Sequence, residues 1–267
     1  MSRLITWDLN HNQAPHSWAG IDEVGRGCLA GPVVACCIVI NSEVIEIHRD
    51  IFDQARDSKK VSQTKREYLA ANFHEILPAY SYGIIDSIGI DRDNILQASL
   101  AAMKQAADDI SIPVDHYYID GTISPKLGQN EVLVPQGDDT SCSIAVASIL
   151  AKVYRDKLMH DLGGKYPQYG FEKHKGYGTK EHLRALDLHG ASPIHRLTFR
   201  PVTQRIQEDL GIFKMLEETL QDTENQIDLL SWFHEIFIHN YGKIKIERVS
   251  LLRNIYLERL VSFHRES

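Results

Sequence analysis

Along this chain of 267 residues the apolar positions keep two different rhythms, and the changes between them outline a fold. Runs of strand length lie at about 17–24 and 32–40, the second being the unbroken VVACCIVI of Val33 to Ile40. A run without polar alternation suits a strand covered on both faces. SYGIIDS near 81–87, HYYID at 116–120 and a short piece from Val132 to Pro135 predict three further strands. Between them the rhythm lengthens to helical spacing. Ser62 is placed to cap a helix with the stripe Tyr68, Leu69, Phe73, Ile76 and Leu77, which Pro78 stops. Asp91 is placed to cap one of about 18 residues carrying Ile95, Leu96, Leu100, Met103 and Ala107. From about Ser141 to Met159 the first half is nearly all apolar, so that helix should be buried on most sides. Strands alternating with helices, after a hairpin-like start, predict an α/β layered fold around a mixed sheet. Two amphipathic stretches follow. One carries Ile206, Leu210, Phe213, Leu216 and Leu220 and then Trp232, Phe233, Ile236 and Phe237; the other runs from Val249 to Phe263. Asn240-Tyr241-Gly242 separates them, and they are expected to pack on the body that precedes them.

Composition alters this outline little: 43% hydrophobic and 24% charged residues describe an ordinary globular chain. None of the four cysteines forms a CxxC pair, and Cys36 and Cys37 should face opposite sides of one strand. Buried thiols of a reduced, cytoplasmic protein are expected, not a zinc site. No apolar run reaches membrane-spanning length, and the first residues lack the apolar core of a signal peptide. Charge changes the picture more. Between Ile206 and Glu235 one lysine faces eight acids, which accounts for the whole net charge of −7. The remainder is near neutral, and Lys165, Lys173, Lys175, Lys180, Arg184, Arg196 and Arg200 crowd one stretch of it. A local basic face of that kind suits a phosphate backbone.

The candidate chemistry is carried by acids. Asp22 and Glu23 end the first strand ahead of Gly25-Arg26-Gly27. Neighbours on a strand point to opposite faces, so both reach one site only if the strand ends or bends there. Glycine at 25 and 27 permits such a bend and a close approach by a ligand, and Arg26 offers a planar fork suited to phosphate. A solvated acidic turn is the bland alternative; the buried-type strand that follows at once argues against it. Asp120 ends another strand, before Gly121, where it could equally be a simple turn former. Asp138 and Asp139 precede a helix start, which an acid suits on electrostatic grounds alone. Together these hard oxygen donors, with no His or Cys cluster at ligand spacing, suit Mg2+ or Mn2+. His174, His182, His189 and His195 are expected to contact phosphate, cap helices or pack.

DEVGRG followed by AGPVV resembles ribonuclease HII, the type 2 ribonuclease H family, and the run Asp22 to Val34 is specific. Similar runs are DSKKVS (Asp57 to Ser62), IDGTISPKL (Ile119 to Leu127), QGDDTSCSIAVASILAKVYRD (Gln136 to Asp156), YPQYGFEKHKGYGTKEH (Tyr166 to His182) and HRLTF (His195 to Phe199). The resemblance covers Trp18 to about Pro201 and implies a ribonuclease H-like fold over residues 1–203, with 204–267 as a helical extension. It places metal-binding, catalytic acids at Asp22, Glu23, Asp120 and Asp138, with Asp139 competing for the last position. It implies two-metal hydrolysis, in which one ion activates the attacking water and the other stabilises the leaving oxygen. It assigns reading of the ribose 2′-OH to Gly25, Arg26 and Gly27, with Tyr177 packing on the next nucleotide. Lys59, Lys60, Lys175 and Arg196 look like phosphate contacts, though each alone could be solvated surface. Two departures are Thr122, where the family usually has Asn, and Val61 for the usual Leu. The implied substrates are RNA–DNA hybrids and duplex DNA holding single ribonucleotides, cut by a monomer on the 5′ side of the ribonucleotide. The other class in play is an inactive hybrid-binding or scaffold protein, which four intact acidic positions disfavour. The sister family, ribonuclease HIII, normally carries a substrate-binding domain ahead of the first motif; the short lead before Asp22 leaves no room for one. Gln207 to Phe213 resembles the clamp-binding peptides of replication proteins.

Overall fold

The structure is a computed structural model that describes residues 2–12, 17–55, 62–128, 130–224, 226–237 and 246–266. In chain order come α1 (Arg3–His11), β1 (Ser17–Val24), β2 (Val33–Asn41), α2 (Ser42–Ile47), α3 (Arg49–Phe52), α4 (Gln63–Ile76), β3 (Ala79–Ile85) and α5 (Ser87–Asp108). Then follow β4 (His116–Asp120), β5 (Glu131–Val134), a 3-10 turn (Gly137–Asp139), α6 (Cys142–Lys165), α7 (Phe171–His174) and α8 (Lys180–His189). The chain ends with α9 (Arg200–Gln221), α10 (Gln226–Ser231), a π-helical turn (Trp232–Phe237) and α11 (Ile246–Glu266).

The sheet runs β3-β2-β1-β4-β5, antiparallel from β1 to β3 and parallel from β1 to β5. The expected mixed sheet is therefore present, and helices cover it on both sides. β2 explains its own composition. Cys36, Ile38 and Ile40 join one core with α4 and α6, while Val33, Ala35, Cys37 and Val39 join a second with α5. The adjacent cysteines do face opposite ways, and all four thiols are free and buried.

Helix α6 is the spine. Of its first ten residues only Ser148 is not buried, as the apolar sequence predicts. It presses on β1 so closely that a Cβ at Gly20 would lie 2.2 Å from the Ser143 carbonyl carbon, so this crossing admits only glycine. Helix α1 secures its start. The buried Asp8 accepts from the Ser143 N–H at 2.8 Å and from the Trp18 indole at 3.3 Å. An acid at a helix N-terminus is favoured by the helix dipole, yet burial lifts the Asp8 carboxyl to about 6.

Three expectations need correction. Ser62 does cap α4, and Leu69, Phe73 and Leu77 of its stripe are buried together with Ala70 while Ile76 packs against them, but Tyr68 is exposed. Asp91 does not cap the following helix. Asp86 caps its first turn, and Asn94, at φ 66°, breaks the helix and accepts from Leu96 and Gln97 N–H. Asp91 instead takes the backbone N–H groups of Leu197 and Thr198, tying HRLTF to α5. The C-terminal helices do not bury their apolar stripe on the sheet. Leu216, Leu220, Leu229, Trp232 and Leu252 form a cluster drawn from the extension alone, and the Trp232 indole donates to Thr219 Oγ1 at 3.0 Å. The extension is joined to the body through the start of α9, where Val202 and Ile206 pack with Leu29, Leu186 and Phe199. Of the predicted stripe, the side chain of Phe237 lies outside the described residues, as does the Asn240–Gly242 break.

Separate cores should melt separately. A chain cut after Gln207 keeps the Val202 and Ile206 contacts. Its sheet is expected to melt within about 5 °C of the full chain, a shift worth roughly 1–2 kcal/mol for a body of this size. Followed by circular dichroism, a much larger drop would show that the extension holds the sheet together.

Candidate functional site

The carboxylates converge at one end of the sheet. β4 pairs with β1 only as far as Ile21–Ile119, so Asp22 and Glu23 lie just past the parallel ladder while β2 still pairs beyond them. The strand therefore neither ends nor breaks at the pair, contrary to the geometric expectation. The Glu23 N–H turns onto Asp22 Oδ1 at 2.7 Å, and oxygens of Asp22, Glu23 and Asp120 come within 4.8 Å of one another. Asp120 accepts from the Gly137 N–H at 2.7 Å, which fixes the turn carrying Asp138. Asp138 is buried and lines the same cavity, of about 430 Å³; Asp139 is exposed and does not line it. Burial, then Glu23 and Asp120, push the Asp22 carboxyl well above the usual range, against a hydrogen bond from Ser148. Burial also raises Glu23, which Arg26 partly offsets across a 3.1 Å ion pair. Clustered acids under this strain, offering oxygen only, fit a hard divalent cation.

The Gly-Arg-Gly loop follows directly on Val24, which lines this cavity. Gly25 has φ +96° and sits on a guanidinium: a Cβ there would fall 2.2 Å from Arg155 Nε. Its missing side chain makes room for Arg155, not for a ligand. Gly27 is the open position, with nothing within 4 Å of a Cβ and an ordinary φ. Tyr177, 39% exposed, reaches the cavity wall with its ring 5.7 Å from the Lys152 ammonium.

Beneath Tyr177 three histidines form a hydrogen-bonded stack. His182 Nδ1 lies 2.9 Å from the Tyr177 carbonyl and must donate there. Its Nε2 then accepts from His195 Nε2 at 3.0 Å, whose Nδ1 accepts from the Ser192 N–H. His174 stacks on His182 at 4.4 Å and accepts from the Gly176 N–H. They pack and anchor a loop; among the four histidines of this stretch only His189 is exposed.

The profile of the family described as Ribonuclease HII matches residues 19–202. The chain belongs to the ribonuclease HII family. It is accordingly an endonuclease of the ribonuclease H class, and such enzymes require a divalent metal. A ribonuclease HII of Caldanaerobacter subterraneus subsp. tengcongensis is 44% identical over 68% of this chain and 73% of its own. One from Endomicrobium trichonymphae is 43% identical over 78% of this chain and 97% of its own. Among solved structures, ribonuclease H2 from Pyrococcus horikoshii OT3 superposes with a TM-score of 0.62 at 26% identity, covering 70% of this chain and 96% of that one. Bst ribonuclease HIII in complex with Mn2+, at 15% identity, covers 74% of this chain and 71% of that one with a TM-score of 0.61 and shares the fold.

Set against the ribonuclease HII pattern, the expected substrate contacts divide. Arg26 is exposed beside Glu23, Gly27 is exposed, and Tyr177 lines the cavity. Arg196 does not reach a phosphate: it is fully buried, and its guanidinium donates to the carbonyls of Gly31 and Arg26. Lys175 is half-buried, its ammonium on the Glu172 carbonyl at 2.7 Å. Lys59 and Lys60 lie outside the described residues. The rest of the basic stretch, from Lys165 and Lys173 to Lys180, Arg184 and Arg200, is exposed. Sequence reasoning passed over Arg66, Ser148 and Lys152, which line the cavity. Ser148 and Lys152 stand one turn apart within a helix otherwise apolar at its start, and two polar groups at that spacing could have marked the face turned to the acids.

The histidine stack carries a pH dependence. Burial depresses His182 to about 4, against an ordinary 6.5, so the folded state refuses a proton that the unfolded chain accepts. Its contribution is fully present above pH 6.5 and is lost as pH falls toward 4. The melting temperature is expected to fall between pH 7 and pH 4.5 more steeply in the native chain than in His182→Gln. Parallel slopes in thermal melts would show that His182 is not the titrating group.

Proposed function

We propose that this chain hydrolyses the phosphodiester bond on the 5′ side of a ribonucleotide, in RNA–DNA hybrids and at single ribonucleotides embedded in duplex DNA. The observation that carries this reading is the meeting of Asp22, Glu23 and Asp120, with Asp138 in the same cavity wall, beside a glycine-bounded loop and an exposed tyrosine. In this reading Asp22, Glu23, Asp120 and Asp138 hold divalent metal, Mg2+ or Mn2+. When bound, such ions activate water as nucleophile and offset charge on the phosphate and the leaving oxygen.

The chain's own residues do the rest. The open backbone at Gly27 admits a sugar edge, and the N–H and C=O groups of Gly25-Arg26-Gly27 read its 2′-OH, the group by which RNA differs from DNA. Tyr177 covers the adjacent nucleotide with its ring face. Arg26 and Lys152 supply positive charge for the phosphate, and the exposed basic residues from Lys165 to Arg200 follow the backbone further out. The bond from phosphorus to the 3′ oxygen of the upstream nucleotide breaks, leaving a 3′-OH there and a 5′-phosphate on the ribonucleotide. No histidine is needed as a base, in keeping with a stack that is already hydrogen-bonded to its own loop. Removal of misincorporated ribonucleotides and primer remnants, as a cytoplasmic monomer, is the corresponding cellular role.

Residues 204–267 are proposed as an accessory unit dispensable for the cut, so the chain ending at Gln207 should also cleave. Archaeoglobus fulgidus ribonuclease HII has been solved in complex with PCNA, and at 24% identity it shares the fold, with a TM-score of 0.58 and coverage of 70% of this chain and 95% of that one. A clamp contact through Gln207–Phe213 would require α9 to open, because Phe213 packs against the extension's own cluster under Arg248.

Two outcomes are expected. Asp22→Asn keeps the shape and removes a charge; it should lower turnover by at least about a thousandfold, roughly 4 kcal/mol in the barrier, with hybrid binding largely spared. Near-native cleavage by that variant would end the assignment of Asp22. Products from a duplex with one ribonucleotide, mapped on a sequencing gel, should show a single cut on its 5′ side. Activity confined to long RNA tracts would rule out the proposed reader.

A further inference from the structure

Two arginines lie fully buried under the Gly-Arg-Gly loop, and neither serves as an ordinary surface cation. Arg155, on α6, donates from Nε to the Pro32 carbonyl at 2.9 Å, from Nη1 to the Lys175 carbonyl at 2.9 Å and from Nη2 to the Ala30 carbonyl at 3.2 Å. Arg196 donates from Nε and Nη2 to the Gly31 carbonyl at 3.1 and 3.0 Å, and from Nη1 to the Arg26 carbonyl at 2.8 Å. Burying a guanidinium is costly unless its hydrogens are met by well-placed acceptors. Here the acceptors are backbone carbonyls of two separate segments, residues 26–32 and Lys175. Such a fork fixes loop backbone in a way that a point-like ammonium or an apolar side chain cannot.

The geometry also shows what this fixing serves. Gly25 rests on the Arg155 guanidinium, and the Lys175 carbonyl on the same guanidinium is two residues before Tyr177. One side chain thus joins both halves of the proposed sugar reader. Ser148, Lys152 and Arg155 stand at i, i+4 and i+7 on α6, so they share one face of the helix. Ser148 hydrogen-bonds Asp22, Lys152 lines the cavity, and Arg155 holds the reader loops. The distance between the atoms that would cut and the loop that would read is therefore set along a single rigid helix face.

We propose that Arg155, backed by Arg196, is a positioning and specificity-determining residue, whose guanidinium holds the Gly25–Gly27 backbone and Tyr177 in register with the carboxylates. Discrimination of ribose from deoxyribose then depends on a residue that never touches the sugar. The inference rests on the reading of Gly25–Gly27 as the 2′-OH reader.

The test compares the full chain with Arg155→Lys and Arg196→Lys on two duplexes that differ at one position, a ribonucleotide in one and a 2′-fluoro nucleotide in the other. Lysine keeps the charge and loses the fork. The native chain is expected to prefer the ribonucleotide by at least about a hundredfold in kcat/KM, as a site built to hydrogen-bond a hydroxyl does. In Arg155→Lys that preference should shrink at least about tenfold, through loss on the ribonucleotide duplex alone, and Arg196→Lys should shift the same way. Equal losses on both duplexes, or an unchanged preference, would overturn the proposal, as would variants too unstable to remain folded at 10 °C. A native chain with no preference would instead overturn the reader assignment itself, so the two failures are distinguishable.

Discussion

Like charges placed at one end of a sheet repel, and holding Asp22, Glu23 and Asp120 within 4.8 Å of one another is the constraint on which the rest of this structure turns. Each acid is restrained by something nearby. Asp22 takes the Glu23 N–H and a Ser148 hydrogen bond, Glu23 takes Arg26, and Asp120 takes the Gly137 N–H. Behind them α6 must lie flat on β1, which a side chain at Gly20 would prevent. Burial and the neighbouring carboxylates still raise the Asp22 carboxyl despite these contacts, so they restrain the acids without cancelling their mutual repulsion. A cation that binds only the folded chain would relieve that strain and stabilise the fold by mass action.

Much of this was legible in the sequence because it depends on periodicity. VVACCIVI could only be a strand with both faces covered, and the apolar start of α6 could only be an interior helix. That Asp22, Glu23 and Asp120 meet was legible for a different reason, namely that the motifs carrying them are specific. What could not be read was which polar groups would turn inward. Asp86, Asp91 and Asn94 are all respectable helix caps, and nothing local decides among them; Asp91 was recruited by Leu197 and Thr198, a contact across 106 residues. Arg196 and Lys175 look, in sequence, like any cation of a basic stretch. Only the tertiary fold reveals that the guanidinium of one is enclosed by carbonyl oxygens and that the amine of the other is folded back on Glu172. Gly25 was read correctly as special but for the wrong occupant, since the space it leaves is filled by Arg155.

The place of the acidic segment follows from the division of cores. An acidic segment packed across the basic face would compete with a phosphate backbone for the same cations. The extension escapes that conflict because its apolar residues close on each other, so it needs to share only the first turns of α9 with the body. Some of its charge is met internally: Asp209 pairs with Arg248 from α11, and Arg248 also covers Phe213. Arg259 likewise reaches back to Thr223. A unit that satisfies its own stripe and part of its own charge can carry a strongly acidic segment, residues 206–235, without loading that charge onto the site. The body still carries a net −4 over residues 1–203, against −3 over 204–267, but five of its exposed cations, Lys165, Lys173, Lys180, Arg184 and Arg200, gather on the segments that also carry Tyr177. The net charge of the whole chain therefore says little about its affinity for a polyanion; the local gathering of cations beside Tyr177 says more.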